Sequence, residues 1–490
     1  MGSIIKDNYV IVQNPINHQE INRLEVFNQI KVDNIILESK QYSDWANLSL
    51  SKRCDYIDCF RRSILRNKDE ICAIIKEETG KKDFDILVEL FGLLEHVKTI
   101  SKIARKALKK SIRSSGLMKN KKAYVLYEPL GVAGIISPWN YPLTTPITTS
   151  VEALLSGNNV VLKPSEHTPL IALYIKKIWD DNINFKKAFN IIIGGGNVGQ
   201  MIVDSDNIDV ICFTGSTKVG QKIAQICAKT LKPFILELGG KDPMIILKDA
   251  NLNRAVESAL FAGFTNAGQT CISVEEVFVE SNIFNQFVKL ISNRVKQMSS
   301  GKEDNMEIGS MIMDANFNKV NEHIDKENHK GKIICGNKGT GDMYIAPTLV
   351  INPSKDSRIV NEETFGPVIS IRSFDLEEDM IKMVHQTGYG LSASIFGRNK
   401  SRINQILKQL KIGNVSINDV FTHYGIASLP FGGEGLSGFG RSHGKEGLRS
   451  FCRIKSVVEN KFSFLNEPWW YSRSKFVDGF LKKIINFLYK

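Results

Sequence analysis

A thiol and a carboxylate stand in segments suited to presenting them. Cys271 lies in Asn266-Ala267-Gly268-Gln269-Thr270-Cys271-Ile272-Ser273, a polar loop containing glycine, and Glu237 lies upstream in Glu237-Leu238-Gly239-Gly240-Lys241-Asp242-Pro243. A free thiol has a reference pKa of roughly 8.5 and is mostly protonated at neutral pH. Its attack on a carbonyl therefore needs a base or an electropositive pocket, and a thioester formed later needs an activated water. An isolated glutamate would as readily cap backbone amides. Four further segments carry polar or glycine-rich chemistry: Pro138-Trp139-Asn140-Tyr141-Pro142, Lys163-Pro164-Ser165-Glu166, Phe213-Thr214-Gly215-Ser216-Thr217 and Glu362-Glu363-Thr364-Phe365-Gly366-Pro367. Gly194-Gly195-Gly196-Asn197-Val198-Gly199 fits G-x-G-x-x-G after an apolar strand, which alone is a weak phosphate-loop signal.

These residues need a scaffold. From Ser49 to Lys110 apolar residues recur at helical spacing (Ile57, Phe60, Ile64, Leu65, then Ile71, Ile74, Ile75), with almost no Gly or Pro, which predicts successive helices. Past Lys122 the pattern becomes short, partly β-branched runs at 123–126, 132–136, 159–162, 191–193 and 210–213, most of them separated by helix-length stretches. That alternation predicts a parallel α/β sheet covered on both faces. A second series follows Glu237, with strands at 244–247, 277–280, 368–374, 394–396 and 413–417 and a helix from about Asn253. Two α/β domains are expected, with the thiol in the second.

The motifs and their order resemble the aldehyde dehydrogenase superfamily from about Asn14 to about Val458. The resemblance implies that family's α/β fold: a Rossmann-like nucleotide domain over 1–237, with oligomerisation strands at about 112–130, and an α/β catalytic domain over 238–428. It further implies a return to the nucleotide domain and an oligomerisation segment over 429–460, then a C-terminal extension at 461–490. The implied reaction is NAD-dependent oxidation of an aldehyde to a carboxylic acid through a cysteine thiohemiacetal and thioester. An aldehyde does not readily give up a hydride until a nucleophile has made its planar carbonyl tetrahedral. Cys271 is then the nucleophile, Glu237 the base, and Asn140 with the Cys271 backbone N–H the oxyanion donors. Coenzyme contacts fall on Trp139, on Lys163 and Glu166 at the adenosine ribose, on Gly196 and Gly199, on Gly215 and Ser216 near the pyrophosphate at a helix start, and on Glu363 and Phe365 beside the nicotinamide. Glu166 repels a 2′-phosphate and favours NAD, whereas Lys163 could pair with that phosphate and admit NADP. A homo-oligomer, dimer or tetramer, is also implied.

The wording around 236–244, 270–273, 418–420 and 429–433 looks most like the branch holding carotenoid-dialdehyde and one type of succinate-semialdehyde dehydrogenase. Tyr141, Phe264, Phe421 and Tyr424 lean the substrate toward an apolar or long-chain aldehyde, with succinate semialdehyde as the alternative. Acylation of coenzyme A is disfavoured by Glu237, and a structural use of the fold by the full set of site residues. One departure from the family pattern is Val274-Glu275-Glu276-Val277, where a basic residue usually follows the nucleophile; its loss removes a cation that could support the cysteine loop.

Composition sets outer bounds. At 490 residues, 42% hydrophobic and 24% charged, the chain is neither disordered nor confined to one core, and no run of about 18 apolar residues could span a bilayer. Residues 1–6 lack a secretory apolar run, and Lys6 breaks the myristoylation pattern. Eight cysteines without C-x-x-C pairs suggest a reducing cytoplasm, with Cys212 and Cys227 as small buried hydrophobes. His385, His423 and His443 have no acid or second His at ligand spacing, so no metal is expected. The net charge of +12 reads as a solvated exterior rather than a nucleic-acid surface, and the cluster Lys102, Arg105, Lys106, Lys109, Lys110, Arg113, Lys119, Lys121 and Lys122 reads mostly as a solvated helix face. After Pro468-Trp469-Trp470-Tyr471, residues Phe476, Val477, Phe480, Leu481, Ile484, Phe487 and Leu488 share one helical face, opposite Lys475, Asp478, Lys482, Lys483 and Asn486. This amphipathic helix docks on protein, a second subunit included, or lies on a membrane; both readings stay open.

Overall fold

The computed structural model describes residues 4–303, 305–327, 332–339, 341–462, 467, 469–471, 473 and 475–490. Pro468 and the first three residues lie outside them. The chain divides into two compact units, Met1–Leu108 with Pro129–Arg453, and Lys109–Glu128 with Ile454–Lys490.

The larger unit opens with a three-stranded antiparallel meander (Ile4–Lys6, Tyr9–Gln13, Glu20–Glu25) that the sequence pattern does not announce. The helices Leu50–Arg66, Lys68–Thr79 and Asp83–Ala107 follow, where apolar periodicity places them. Ser49 starts the first by accepting from the Lys52 N–H. Gly80 ends the second in the left-handed region at φ +65, where a Cβ would also meet Ser310 Oγ at 2.3 Å. Phe60 of the first helix and Trp45 in the turn ahead of it meet Trp179 edge-on at 5.1 and 5.6 Å, tying that helix to Pro169–Asn182. Such pairs add about 0.5–1.5 kcal/mol each beyond their burial.

Two sheets follow. The first runs Gly438–Phe439, Phe234–Glu237, Val210–Thr214, Val132–Ile136, Asn159–Lys163, Phe189–Ile191, with every neighbour parallel except the antiparallel first pair. Its strands Val132–Ile136 and Asn159–Lys163 are buried throughout, as helices on both faces require. The expected strand at 191–193 is displaced: pairing ends at Ile191, and Ile192 gives its N–H to Leu162 O as the chain leaves the sheet. The second sheet runs Lys332–Cys335, Thr348–Ile351, Val368–Phe374, Val274–Glu280, Asp242–Ile246, Ser392–Phe396, Asn414–Ile417, parallel apart from its first pair.

The smaller unit holds a three-stranded sheet in the order Cys452–Asn460, Lys121–Pro129, Ser111–Arg113. It corrects the reading of the basic cluster. The long helix ends at Ala107, so only Lys102, Arg105 and Lys106 lie on it. The remaining six belong to the sheet unit: Lys122 pairs with Glu459 at 3.7 Å, Lys110 stacks 3.3 Å from the Tyr124 ring centre, and Lys121 bonds Glu467 and Asn460. Ile112, Ile454 and Val458 are exposed on this sheet. Beyond it, the helix Lys475–Leu488 forms as its periodicity predicts, with none of its residues buried.

Candidate active site

Sheet direction gathers the motif residues. In the first sheet Ile136, Lys163, Thr214 and Glu237 end their strands, so the segments 137–142, 163–166 and 215–217 and the Glu237 carboxyl all emerge at one carboxyl edge, where open α/β sheets bind ligands. In the second sheet the opposite edge is used. Gly239 to Lys241 enter the strand Asp242–Ile246, Cys271 precedes Val274–Glu280, and Glu363 with Phe365 precede Val368–Phe374.

The cysteine loop is a strained turn rather than a helix end. Asn266 and Ala267 both adopt positive φ, at 52 and 55. Gln269 holds the turn, donating to Asn266 O at 3.0 Å and Ser310 O at 3.2 Å and accepting from Ile312 N at 2.9 Å. Asn140 reaches this loop directly, its Nδ2 donating to Gln269 O at 2.9 Å, while Asn266 Nδ2 returns a bond to Asn140 O at 3.0 Å. Tyr141 Oη and Thr270 Oγ1 lie 2.9 Å apart. Asn140 has a second amide hydrogen, so one can hold the loop while the other meets an oxyanion.

Electrostatics set the resting state. Burial first, then the carboxylates of Asp242, Glu237 and Glu363, push the half-buried Cys271 thiol well above its ordinary range, so it rests protonated. Burial also lifts Glu237 to about 8 against the opposing Ser442 hydroxyl and Arg441 charge. Ser442 Oγ donates to Glu237 Oε1 at 3.1 Å, and Glu237 Oε2 has no hydrogen-bond partner among the described residues. That oxygen is the one free to take a proton.

The coenzyme candidates separate into two groups. Trp139 and Phe365 face each other edge-on at 5.6 Å, and Phe365 holds a left-handed φ of 57. Glu363 accepts from Gly240 N at 3.0 Å and is lifted to about 7 by burial and by Glu275. Farther along the edge, Lys163 Nζ donates to Pro164 O at 2.9 Å and lies 3.3 Å from Glu166 Oε2. Gly195, which has no side chain to offer, is the N-cap of the helix Gly196–Asp204, and Ser216 that of Thr217–Thr230 without its hydroxyl bonding that helix, which leaves amide donors for an anion. Gly199 faces the Lys163 stem, and a Cβ on Gly215 would strike the Phe213 ring at 2.5 Å. This edge fits a dinucleotide: exposed amides for phosphates, a carboxylate for ribose hydroxyls and an aromatic pair for a ring.

Sequence reasoning missed three contributors. Ser442 has no local motif. Glu275, read as the loss of a cation, receives one from Lys241 at 2.6 Å and accepts from Thr364 N and Phe365 N at 2.8 to 3.0 Å. Glu276 likewise pairs with Arg372 at 2.6 Å. The third is a buried cluster in which Glu152 accepts from the His443 N–H at 3.2 Å and lies 3.0 Å from His96 Nε2. The acid and second His that chain spacing does not offer His443 are thus supplied by the fold. Burial holds both imidazoles neutral, near 3, and raises Glu152 to about 7. His423 packs beside Ser416 Oγ at 3.0 Å, and His385 is half-buried with its Nε2 3.2 Å from Gln409 O.

Phe421 and Tyr424 pack with Cys271, Ile272, Leu391 and Phe431 in an apolar cluster, and Phe264 is buried in the second-sheet core. The Lys81 ammonium lies 4.3 Å from the Tyr141 ring centre and is committed to Glu89 at 2.5 Å.

Comparison with known proteins supplies an independent line. The profile described as the Aldehyde dehydrogenase family matches residues 5–457. A Mycobacterium tuberculosis protein with the provisional name succinate-semialdehyde dehydrogenase NADP(+) 2 is 33% identical over 434 residues, 87% of this chain and 84% of its own. A 4,4'-diapolycopene aldehyde oxidase from Methylomonas sp is 31% identical over 448 residues, 91% of this chain and 84% of its own. Among solved structures, a lactaldehyde dehydrogenase superposes with TM-score 0.88 at 29% identity, covering 93% of this chain and 97% of that one. Betaine aldehyde dehydrogenase from Staphylococcus aureus, in complex with NAD+, gives TM-score 0.87 at 27% identity over 95% and 94%.

Proposed function

Because the chain belongs to the aldehyde dehydrogenase family, whose members are NAD(P)-dependent oxidoreductases, we propose that it oxidises an apolar or long-chain aldehyde to its acid through Cys271, Glu237 and Asn140. The carrying observation is the Asn140 to Gln269 bond, which fixes an amide donor against the loop that bears the thiol. In the proposed sequence, Glu237 takes the thiol proton as Cys271 sulfur bonds the aldehyde carbon. Asn140 and the Cys271 N–H then receive the oxyanion. Bound NAD supplies the hydride acceptor. Hydride loss leaves a thioester on Cys271; Glu237, having passed its first proton to solvent, draws one from a water that attacks the thioester and hands it to the departing sulfur as the acid is released.

The apolar substrate is supported by the cluster of Phe421, Tyr424 and Phe431 beside Cys271 and by the pairing of Lys81 and Lys241 with carboxylates, which leaves neither to hold a distal carboxylate. The likeness to a diapolycopene aldehyde oxidase points the same way. Succinate semialdehyde is the second reading, favoured by the name of the mycobacterial relative. Coenzyme formation across aldehydes of rising chain length and succinate semialdehyde, with and without coenzyme A, tests these readings. Preference for succinate semialdehyde would overturn the apolar assignment, and coenzyme A-dependent turnover the hydrolytic step. No turnover with any aldehyde would point to a structural use of the fold.

NAD is the proposed coenzyme over NADP, with Glu166 as the discriminating group. Glu166→Ser should raise the NADP to NAD ratio of kcat/KM by about tenfold or more, since it removes a charge repelling a 2′-phosphate and frees Lys163. An unmoved ratio would place the adenosine ribose elsewhere. Asn140→Ala should lower kcat by about 10²–10³-fold if the amide is an oxyanion donor. A change confined to KM would make it a positioning group.

The proposed setting is the reducing cytoplasm, with an aldehyde, further copies of the chain in a dimer or tetramer, and a lipid surface at the tail as partners. All eight cysteines are free thiols, and the exposed Ile112, Ile454 and Val458 give the small sheet a face for assembly. Among the described residues no helix is long and apolar enough to cross a membrane.

A further inference from the structure

We propose that the helix Lys475–Leu488 is an interfacial anchor that lies flat on an anionic lipid surface. The proposal does not rest on the catalytic reading. Every apolar side chain of the helix is at least partly open to solvent, with Phe476 80%, Phe480 53%, Ile485 55% and Phe487 86% exposed. At 100° per residue these four lie on one half of the helix together with Val477, Leu481, Ile484 and Leu488. Lys475, Lys482, Lys483 and Asn486 lie on the other half. The one acidic residue, Asp478, is answered by Arg473 at 3.0 Å, and none of the three lysines has an ion-pair partner among the described residues.

Length and charge choose the occupant. Fourteen residues rise only about 21 Å, short of the roughly 30 Å hydrocarbon core, so the helix can lie in an interface but not cross it. Trp469 and Trp470, each 49% exposed, stand just ahead of it, and their amphipathic rings favour the headgroup level. A second copy docked through this helix would bring the same basic face and set like charges together, whereas an anionic bilayer offers hydrocarbon to one face and opposite charge to the other. An isolated helix of this length with Gly479 inside it is marginal in water, so seating on lipid would also increase its helicity.

The test is flotation of the full chain with phosphatidylcholine vesicles, with and without phosphatidylglycerol, together with light-scattering mass. Binding is expected to the phosphatidylglycerol vesicles only, weakening with salt. Deletion of 475–490 and Phe480→Asp should each abolish it with mass and melting temperature unchanged. Lys482→Ala with Lys483→Ala should weaken it about thirtyfold, each lysine near an anionic surface being worth roughly 1 kcal/mol. Equal binding to both vesicle types overturns the anionic assignment. Failure of the intact chain to float with either, or loss of oligomer mass on deletion, overturns the proposal in favour of a protein docking element.

Discussion

Cys271→Ala is expected to reduce aldehyde-driven coenzyme reduction by at least about 10⁴-fold while leaving coenzyme affinity near its starting value. The thiol is the proposed atom that makes the carbonyl tetrahedral, and a methyl group cannot replace it. Coenzyme contacts are proposed on other segments: Trp139 and Phe365 meet each other, and Lys163, Glu166, Gly215 and Ser216 lie at the carboxyl edge of the first sheet. Calorimetric titration with NAD and steady-state turnover of the same preparation separate the two effects. Turnover within tenfold of the parent would take Cys271 out of the mechanism, and lost coenzyme binding would mean that the loop, not only its sulfur, had changed.

Glu237→Gln should slow the first turnover of NADH and lower the steady state that follows by about 10²–10⁴-fold, because the amide can take a proton neither from the Cys271 thiol nor from water. Glutamine keeps the shape and can still accept from Ser442 Oγ, so a structural role would survive it. Burial raises the carboxyl to about 8, so the parent's turnover should climb as pH rises through about 8, and the variant should lose that inflection. Stability runs oppositely. The folded chain holds this proton more tightly than the unfolded one, so the associated stability is full at acid pH and is lost as pH rises through about 8. The melting temperature of the parent should therefore fall more steeply than that of the variant between about pH 4.5 and about pH 8, and run parallel to it above. An unchanged steady-state rate would remove Glu237 as the base.

What the sequence makes legible is what it writes locally. Runs such as 132–136 and 210–213 carry enough β-branched residues to mark strands, and the terminal helix displays its whole period within one segment. Phe234–Glu237 carries the proposed base yet goes unread, because a strand of four residues between Lys232-Pro233 and Leu238-Gly239 is too short to show a period. Strand Ile191–Ile193 is misplaced because burial continues after pairing has stopped: Ile192 and Ile193 are as buried as their neighbours but lie outside the ladder. Within the site, Cys271 and Asn140 come from short motifs, whereas Ser442 meets Glu237 only through the antiparallel return of the chain along that sheet. Glu275 is misread because its cation, Lys241, lies just ahead of the neighbouring strand Asp242–Ile246 rather than beside it in the chain.

Glu275 has a consequence for how this protein can change. Gly240 is held by Glu363, Thr364 and Phe365 are held by Glu275, and Glu275 is held by Lys241, the residue after Gly240. Three distant stretches of chain thus close a ring that includes the segments carrying the proposed base, nucleophile and nicotinamide platform. A homologue with a basic residue after its cysteine cannot donate that loop alone, since the transplant would face Lys241 and strip the Thr364 and Phe365 amides of their acceptor. Inheritance in such a ring should be joint at positions 241 and 275, whose side chains pair: a hybrid that exchanges one without the other should fold with the backbone at 364–365 loosened, even though each exchanged residue is sound in its parent.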